Sequence, residues 1–148
     1  MSAENNKALV RRYFEDAWNK HNPALVDEIY ATDFVDRSPD IPGIAHTRDG
    51  LKQFMGVYLR AFPDADITIE DQLVEGDRVV TRWTGRGTQT GEFLEMPPSG
   101  KKVAVPGVQI DRFSGGKIVE EWTLFDQLGM LQQLGAVPAT KQPALAAR

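Results

Sequence analysis

Cysteine is absent from this 148-residue chain, and histidine occurs twice, as His21 and His46. The first absence excludes disulfides, thiolate metal sites and cysteine nucleophiles. The second argues against a histidine-rich metal centre. No segment approaches the roughly 18 consecutive apolar residues of a membrane-spanning helix, and residues 1–7 are polar, unlike a secretory signal. The expected compartment is the cytoplasm. Basic runs are also missing: nothing exceeds the pairs Arg11-Arg12 and Lys101-Lys102, and 17 Lys and Arg against 21 Asp and Glu leave a net charge of −4. That balance offers no basic face to nucleic acid. What remains is 41% hydrophobic and 26% charged, a composition and length suited to one domain with a real core.

Periodicity places the elements. Leu9, Val10, Tyr13, Phe14, Ala17 and Trp18 recur at helical spacing. His21-Asn22-Pro23 stops that helix and opens another, with Asn22 as cap and Pro23 in the first turn. Leu25, Val26, Ile29 and Tyr30 form its shorter apolar stripe. Residues 32–46 hold Pro39, Pro42 and Gly43 and read as a loop with one short strand at Phe34-Val35. Thr47 caps a third helix with Leu51, Phe54, Met55, Tyr58, Leu59 and Phe62 along one face, and Pro63 ends it.

The pattern then alternates. Ala65, Ile67 and Ile69 oppose Asp66, Thr68 and Glu70, and Glu75-Gly76-Asp77 is a turn. Further strands are expected over 78–88, 101–113 and 117–125, the last two joined by a tight hairpin at Ser114-Gly115-Gly116. A short helix over 127–134 closes at Gly135. Helices ahead of antiparallel strands predict an α+β fold, with helices on one side of a curved sheet. One domain spans 1–136, followed by a loosely ordered tail over 137–148.

Several short motifs stand in this order: Phe62-Pro63-Asp64, Glu75-Gly76-Asp77-Arg78-Val79-Val80, Gly87-Thr88-Gln89-Thr90-Gly91-Glu92-Phe93, Pro97-Pro98-Ser99-Gly100-Lys101-Lys102-Val103, and Gly116-Lys117-Ile118-Val119-Glu120-Glu121-Trp122 with Phe125-Asp126 and Leu131-Gln132-Gln133-Leu134-Gly135 after it. From about Asn6 to Ala136 the chain resembles the SnoaL-like polyketide (ester) cyclases of the nuclear-transport-factor-2-like superfamily. The resemblance implies a cone-shaped half-barrel, a curved antiparallel sheet wrapped around the N-terminal helices and open at one end as a pocket. It implies intramolecular aldol ring closure with no metal or organic cofactor and an aspartate as general acid and base, at the position of Asp126. The chain departs from the pattern at Gln89 and Arg37, where relatives often carry histidine.

The residues themselves support two readings of Asp126. Alternation puts Trp122, Leu124 and Asp126 on one strand face. If that face lines the pocket, poor solvation raises the carboxyl pKa and suits it to proton transfer near neutrality. Asp126 also directly precedes the last helix, where aspartate is a favoured N-cap. Gln109 and Asp111 share a face of the preceding strand, and alternation leaves open whether that face lines the pocket. There Gln109 is a candidate oxyanion donor. Gln89 is a candidate donor in place of an imidazole, though never a base. Arg82 and Trp83 point to opposite faces. Asp126 with Arg82 or Arg86 offers only part of the Asp-Arg-Asp set of the limonene-epoxide-hydrolase-like relatives.

Tyr13, Phe14, Trp18, Phe54, Met55, Tyr58 and Phe62 are expected in the core or the pocket wall, and their bulk suits an aromatic or terpenoid-sized molecule. His46 is a loop residue or a gate. The expected activity is cofactor-free acid–base catalysis, a cyclisation or isomerisation, on an apolar carbonyl compound. The alternatives are a non-catalytic binder of a small apolar ligand and an interaction module. A homodimer is expected, with Val103-Ala104-Val105 or the Ile67–Ile69 edge as pairing surface.

Overall fold

The computed structural model describes residues 2–138; most of the expected tail, from residue 139 on, lies outside the described residues. Helix α1 (Ala3–Arg12) starts at Ser2, whose hydroxyl accepts the Asn5 amide at 3.0 Å. It runs on into a wider π turn, Tyr13–Trp18. There the amides of Asn19 and Asn22 reach the carbonyls of Phe14 and Ala17, five residues back. The wider turn leaves Tyr13, Phe14, Ala17 and Trp18 all buried, a broader apolar face than a regular helix offers. A 3₁₀ turn (Pro23–Leu25) and short α2 (Val26–Ile29) follow.

Tyr30, expected in the stripe of the second helix, instead begins strand β1 (Tyr30–Asp36). Parallel pairing with the last strand draws it out of the helix. Helix α3 (Arg48–Ala61) is capped by Thr47, whose hydroxyl accepts the Gly50 amide at 3.2 Å, and it ends before Phe62-Pro63 as the sequence predicts. Four long strands complete the sheet: β2 (Asp66–Glu75), β3 (Arg78–Thr88), β4 (Lys102–Ser114) and β5 (Lys117–Phe125). Short α4 (Gln127–Gln133) closes the fold.

The sheet order is β1-β5-β4-β3-β2, with β1 parallel to β5 and every other pair antiparallel. This is the expected α+β half-barrel: a curved, unclosed five-stranded sheet packed on the N-terminal helices. Its free β2 edge is partly covered by Asn19, which donates to the Ile67 carbonyl at 2.9 Å and accepts the Ile67 amide at 2.7 Å. Those bonds occupy groups that an edge strand would otherwise leave open.

Two apolar clusters hold the halves together. One joins Val10, Phe14, Ile29, Tyr30 and Met55 to Val79, Phe113 and Ile118 on the sheet. The other gathers Phe62, Phe93, Val103, Val105, Met130 and Leu134 at the opposite end. The pairing surfaces expected from the sequence are therefore occupied internally: Val103 and Val105 are buried, while Ile67 and Ile69 pack against the first cluster. Among the described residues, no helix is long and apolar enough to cross a membrane.

Candidate functional site

Between the helices and the concave face of the sheet lies a cavity of about 490 Å³. Tyr13, Trp18, Phe54, Tyr58, Trp83 and Phe125 form its aromatic walls, and residues 38–46 pass across it as a strap. Burial leaves the Tyr58 hydroxyl hard to ionise, pushing its pKa up.

While Ser38, Gln53, Arg86 and Gln127 border the cavity from other elements, one polar part of the lining comes from β4 and β5. Their register places Gln109 opposite Thr123 and Asp111 opposite Glu121, and β1 sets Asp36 beside Glu121. Asp111 is 0% exposed and Glu121 2%. Their carboxyl groups are in hydrogen-bond contact, and Glu121, Gln109, Thr123 and Asp36 border the cavity while Asp111 lies behind them.

Every member of this group has a partner. The Tyr30 hydroxyl donates to Glu121 Oε1 at 2.6 Å. The Gln109 amide donates to Asp111 Oδ1 and Oδ2 at 3.2 and 3.0 Å, and Gln109 Oε1 accepts the Thr123 hydroxyl at 3.2 Å. The strap is tied to the same strand: the Arg37 amide donates to the Glu121 carbonyl at 2.8 Å, and Ser38 Oγ accepts the Thr123 amide at 2.8 Å.

No Lys or Arg forms an ion pair with Asp111, Glu121 or Asp36 among the described residues. Burial therefore dominates the acidity of the pair. Desolvation raises the Asp111 pKa to about 6, against the opposing pull of its hydrogen bonds from Glu121 and Gln109. Desolvation also pushes Glu121 well above the usual carboxyl range, and the neighbouring Asp111 adds to the rise. Both shifts favour a proton shared by the pair over two charges side by side. Among the described residues, no cluster of three or more His, Cys, Asp or Glu side chains is placed to hold a metal ion.

This architecture matches known proteins. The family model for SnoaL-like polyketide cyclases covers residues 8–134. The chain belongs to the SnoaL-like polyketide cyclase family. AclR of Streptomyces galilaeus, a proposed hydroxylase, is similar with a TM-score of 0.84 and 30% identity, over 99% of this chain and 90% of its own. A proposed SnoaL-like polyketide cyclase of Jannaschia sp. CCS1 gives 0.81 and 27%, over 93% of this chain and 98% of its own. IdmH of Streptomyces antibioticus, a proposed polyketide cyclase, gives 0.77 and 32%, over 88% and 98%. No curated protein matches the chain.

In this SnoaL-like chain the sequence-derived site residues separate into two groups. Tyr13, Trp18, Phe54, Tyr58 and Gln109 border the cavity. Phe14 packs inside the first core cluster instead. Gln89 is buried away from the cavity, where its amide donates to the carbonyls of Gly91 and Pro97 at 3.2 Å and its oxygen accepts the Ser99 hydroxyl at 2.7 Å. It pins the 89–101 loop.

Asp126 is exposed. Its carboxylate caps α4 by accepting the Gly129 amide at 2.9 Å, and it borders a shallow groove on the outer side of the sheet with Leu124 and Arg82. Trp122 faces outward too, with the Arg78 guanidinium 5.5 Å above its ring. Leu124, 67% exposed, reaches the cavity only at its rim.

The reason for these corrections is a β-bulge. Phe113 pairs with Ile118 but Arg112 with Glu120, so Val119 is an extra residue in β5. An inserted residue reverses which side chains face inward. Ile118 points in, and beyond the bulge Glu121, Thr123 and Phe125 point in, not Trp122 and Leu124. Asp111 and Glu121 were the residues missed. The signal for Asp111 was present in Val103, Val105 and Phe113, which share its face and are large apolar residues at both ends of β4.

Proposed function

We propose that this chain is a cofactor-free acid–base enzyme acting on an apolar carbonyl compound, with the Asp111–Glu121 pair as the proton-transfer group. The observation that carries this reading is a buried pair of carboxyls, without a cation partner, at the edge of an aromatic cavity. A pair that holds one proton and one charge has both a base and an acid available. Desolvation keeps its acidity near the working pH, where proton transfer is most effective.

The reaction proceeds in two proton transfers. The charged pair takes a proton from the carbon next to a carbonyl, leaving an enolate. That carbon either bonds to a second carbonyl carbon, whose oxygen becomes an alkoxide, or is reprotonated at another position. The pair, now holding two protons, returns one to the alkoxide or to carbon. The first outcome is an intramolecular aldol, the second an isomerisation. The Thr123 hydroxyl borders the cavity on the same face of β5 as Glu121 and donates to Gln109 Oε1, which makes it a neutral group at hand for the developing charge.

The test is hydrogen–deuterium exchange at the activated carbon of aromatic β-dicarbonyl esters, followed by ring closure where the compound permits it. Wild type is expected to exchange faster than buffer alone. Glu121→Gln and Asp111→Asn are each expected to lose about 10²–10⁴-fold, while Asp126→Asn stays at the wild-type rate. Exchange that survives both pair substitutions would remove the pair from the mechanism.

The second reading is a binding protein without turnover. It is favoured by the full set of internal hydrogen bonds made by Asp111 and Glu121. Tight binding of the same compounds without exchange would select it.

A further inference from the structure

Tyr30 does not border the cavity and is fully buried, yet it holds the one carboxyl of the pair that does. Its ring is fixed edge-on between Tyr13, at a centroid distance of 5.4 Å, and Phe34, at 4.7 Å. The hydroxyl therefore has little freedom to move, and its 2.6 Å bond engages a single oxygen, Glu121 Oε1. On the other side of the pair, the Gln109 amide spans both Asp111 oxygens. The two carboxyls are thus held differently: one by a hydroxyl at one oxygen, the other by an amide at both.

We propose that Tyr30 is a positioning residue, fixing Glu121 by Oε1 so that its Oε2 alone carries the exchangeable proton shared with Asp111. The donors divide the labour. Gln109 stabilises negative charge on Asp111, since a donor favours the charged form of an acceptor. Tyr30 aligns Glu121 as the acid that meets the cavity. For chemistry this rests on the acid–base reading above. Its test needs no substrate, so the two can fail separately.

The groups facing the pair are few. Tyr13 comes from the π turn after α1, Tyr30 and Asp36 come from β1, and the pair itself comes from β4 and β5. The negative neighbour Asp36 opposes ionisation of both carboxyls, and the hydroxyl of Tyr30 favours ionisation of Glu121.

Infrared difference spectroscopy of the carboxyl C=O stretch, across a pH titration of the full chain, reads the proton directly. Wild type is expected to show one protonated carboxyl at neutral pH, absent in Glu121→Gln. Tyr30→Phe removes the donor and is expected to move the Glu121 midpoint up by about one pH unit. Asp111→Asn removes the neighbouring charge and is expected to move it down. Where Tyr30→Phe does not fold, a ring-fluorinated tyrosine at position 30 keeps the shape, strengthens the donor and is expected to move the midpoint down.

A role in packing alone would leave the stretch and its midpoint where they are. A midpoint unmoved by both changes at position 30, or a fully ionised pair at neutral pH, overturns the proposal. A shifted midpoint in a chain that catalyses no exchange upholds it and ends the acid–base reading alone.

Discussion

The indole of Trp83 lies against Gly107 on the neighbouring strand, so closely that a Cβ at position 107 would overlap the indole atoms Cζ2 and Cε2. The two residues are direct cross-strand partners. On the inner face Gly107 is followed by Gln109 and Asp111, so the space left by a missing side chain admits the aromatic wall beside the polar group. Gly107→Ala is expected to push the indole toward the cavity. The cost should be about 1–3 kcal/mol of stability, as for other overpacked sites, together with weaker uptake of aromatic ligands. Chemical denaturation and ligand titration would check both; an unchanged denaturation midpoint would contradict the contact.

Stability should depend on pH through the carboxyl pair, and the sign is fixed. An ordinary Asp in the unfolded chain ionises near pH 4, whereas folded Asp111 retains its proton up to about 6, and burial holds the Glu121 proton well above the usual carboxyl range. Between those values the folded state binds more protons than the unfolded state, so stability falls as pH rises through the window. Asp111→Asn should flatten that fall. The comparison is the difference in denaturation midpoint between wild type and variant on either side of about pH 6.

For the proposed reaction the pair must carry one charge. Its rate should therefore rise as the pH passes about 6 and decline only when the second carboxyl ionises, well above the usual range. A bell-shaped profile of kcat/KM is the expected form. Asp111→Asn leaves a single carboxyl and should replace the bell by one rise to a plateau, without the decline at high pH. A flat profile in wild type would count against proton transfer by this pair.

Asp126 supports the cavity from a distance. It caps α4, which brings Met130 to the cavity lining. Asp126→Ala should cost about 1 kcal/mol, and Asp126→Asn, which still caps, should cost little. Both should leave the proton-transfer rate near wild type, which is measured by the same exchange assay.

Gln89 should prove structural. Replacing it with Leu removes three hydrogen bonds, to the carbonyls of Gly91 and Pro97 and from the Ser99 hydroxyl, each worth about 0.5–1.5 kcal/mol. Hydrogen exchange should rise across the 89–101 loop, with the titration of Glu121 unchanged.

The helices were legible because their apolar spacing is strict and their ends carry Thr47, Pro63 and Gly135. The strands were legible because Gly and Pro punctuate alternation, and the motif order pointed to the family. The inner face of β5 was not. From Ile118 onward a regular alternation points Trp122 and Leu124 inward, and both are apolar enough to accept that placement. The extra residue at Val119 shifts the phase, and nothing in Lys117 to Phe125 marks it. Glu121 then reads as one more surface acid until its pairing with Asp111 is seen. Tyr30 was obscured by a similar ambiguity: four apolar residues at helical spacing, the last of which is claimed by a strand from the far end of the chain.

That far end has a consequence for how the proposed acid–base group is assembled. The seam between β1 and β5 joins residue 36 to residue 121, so Tyr30 and Asp36 arrive from one extremity and Asp111 and Glu121 from the other. A fragment lacking either extremity has no complete acid group, however well its remaining hairpins form. On the proposed function, the acid–base group is therefore assembled only when β5 has paired with both β1 and β4.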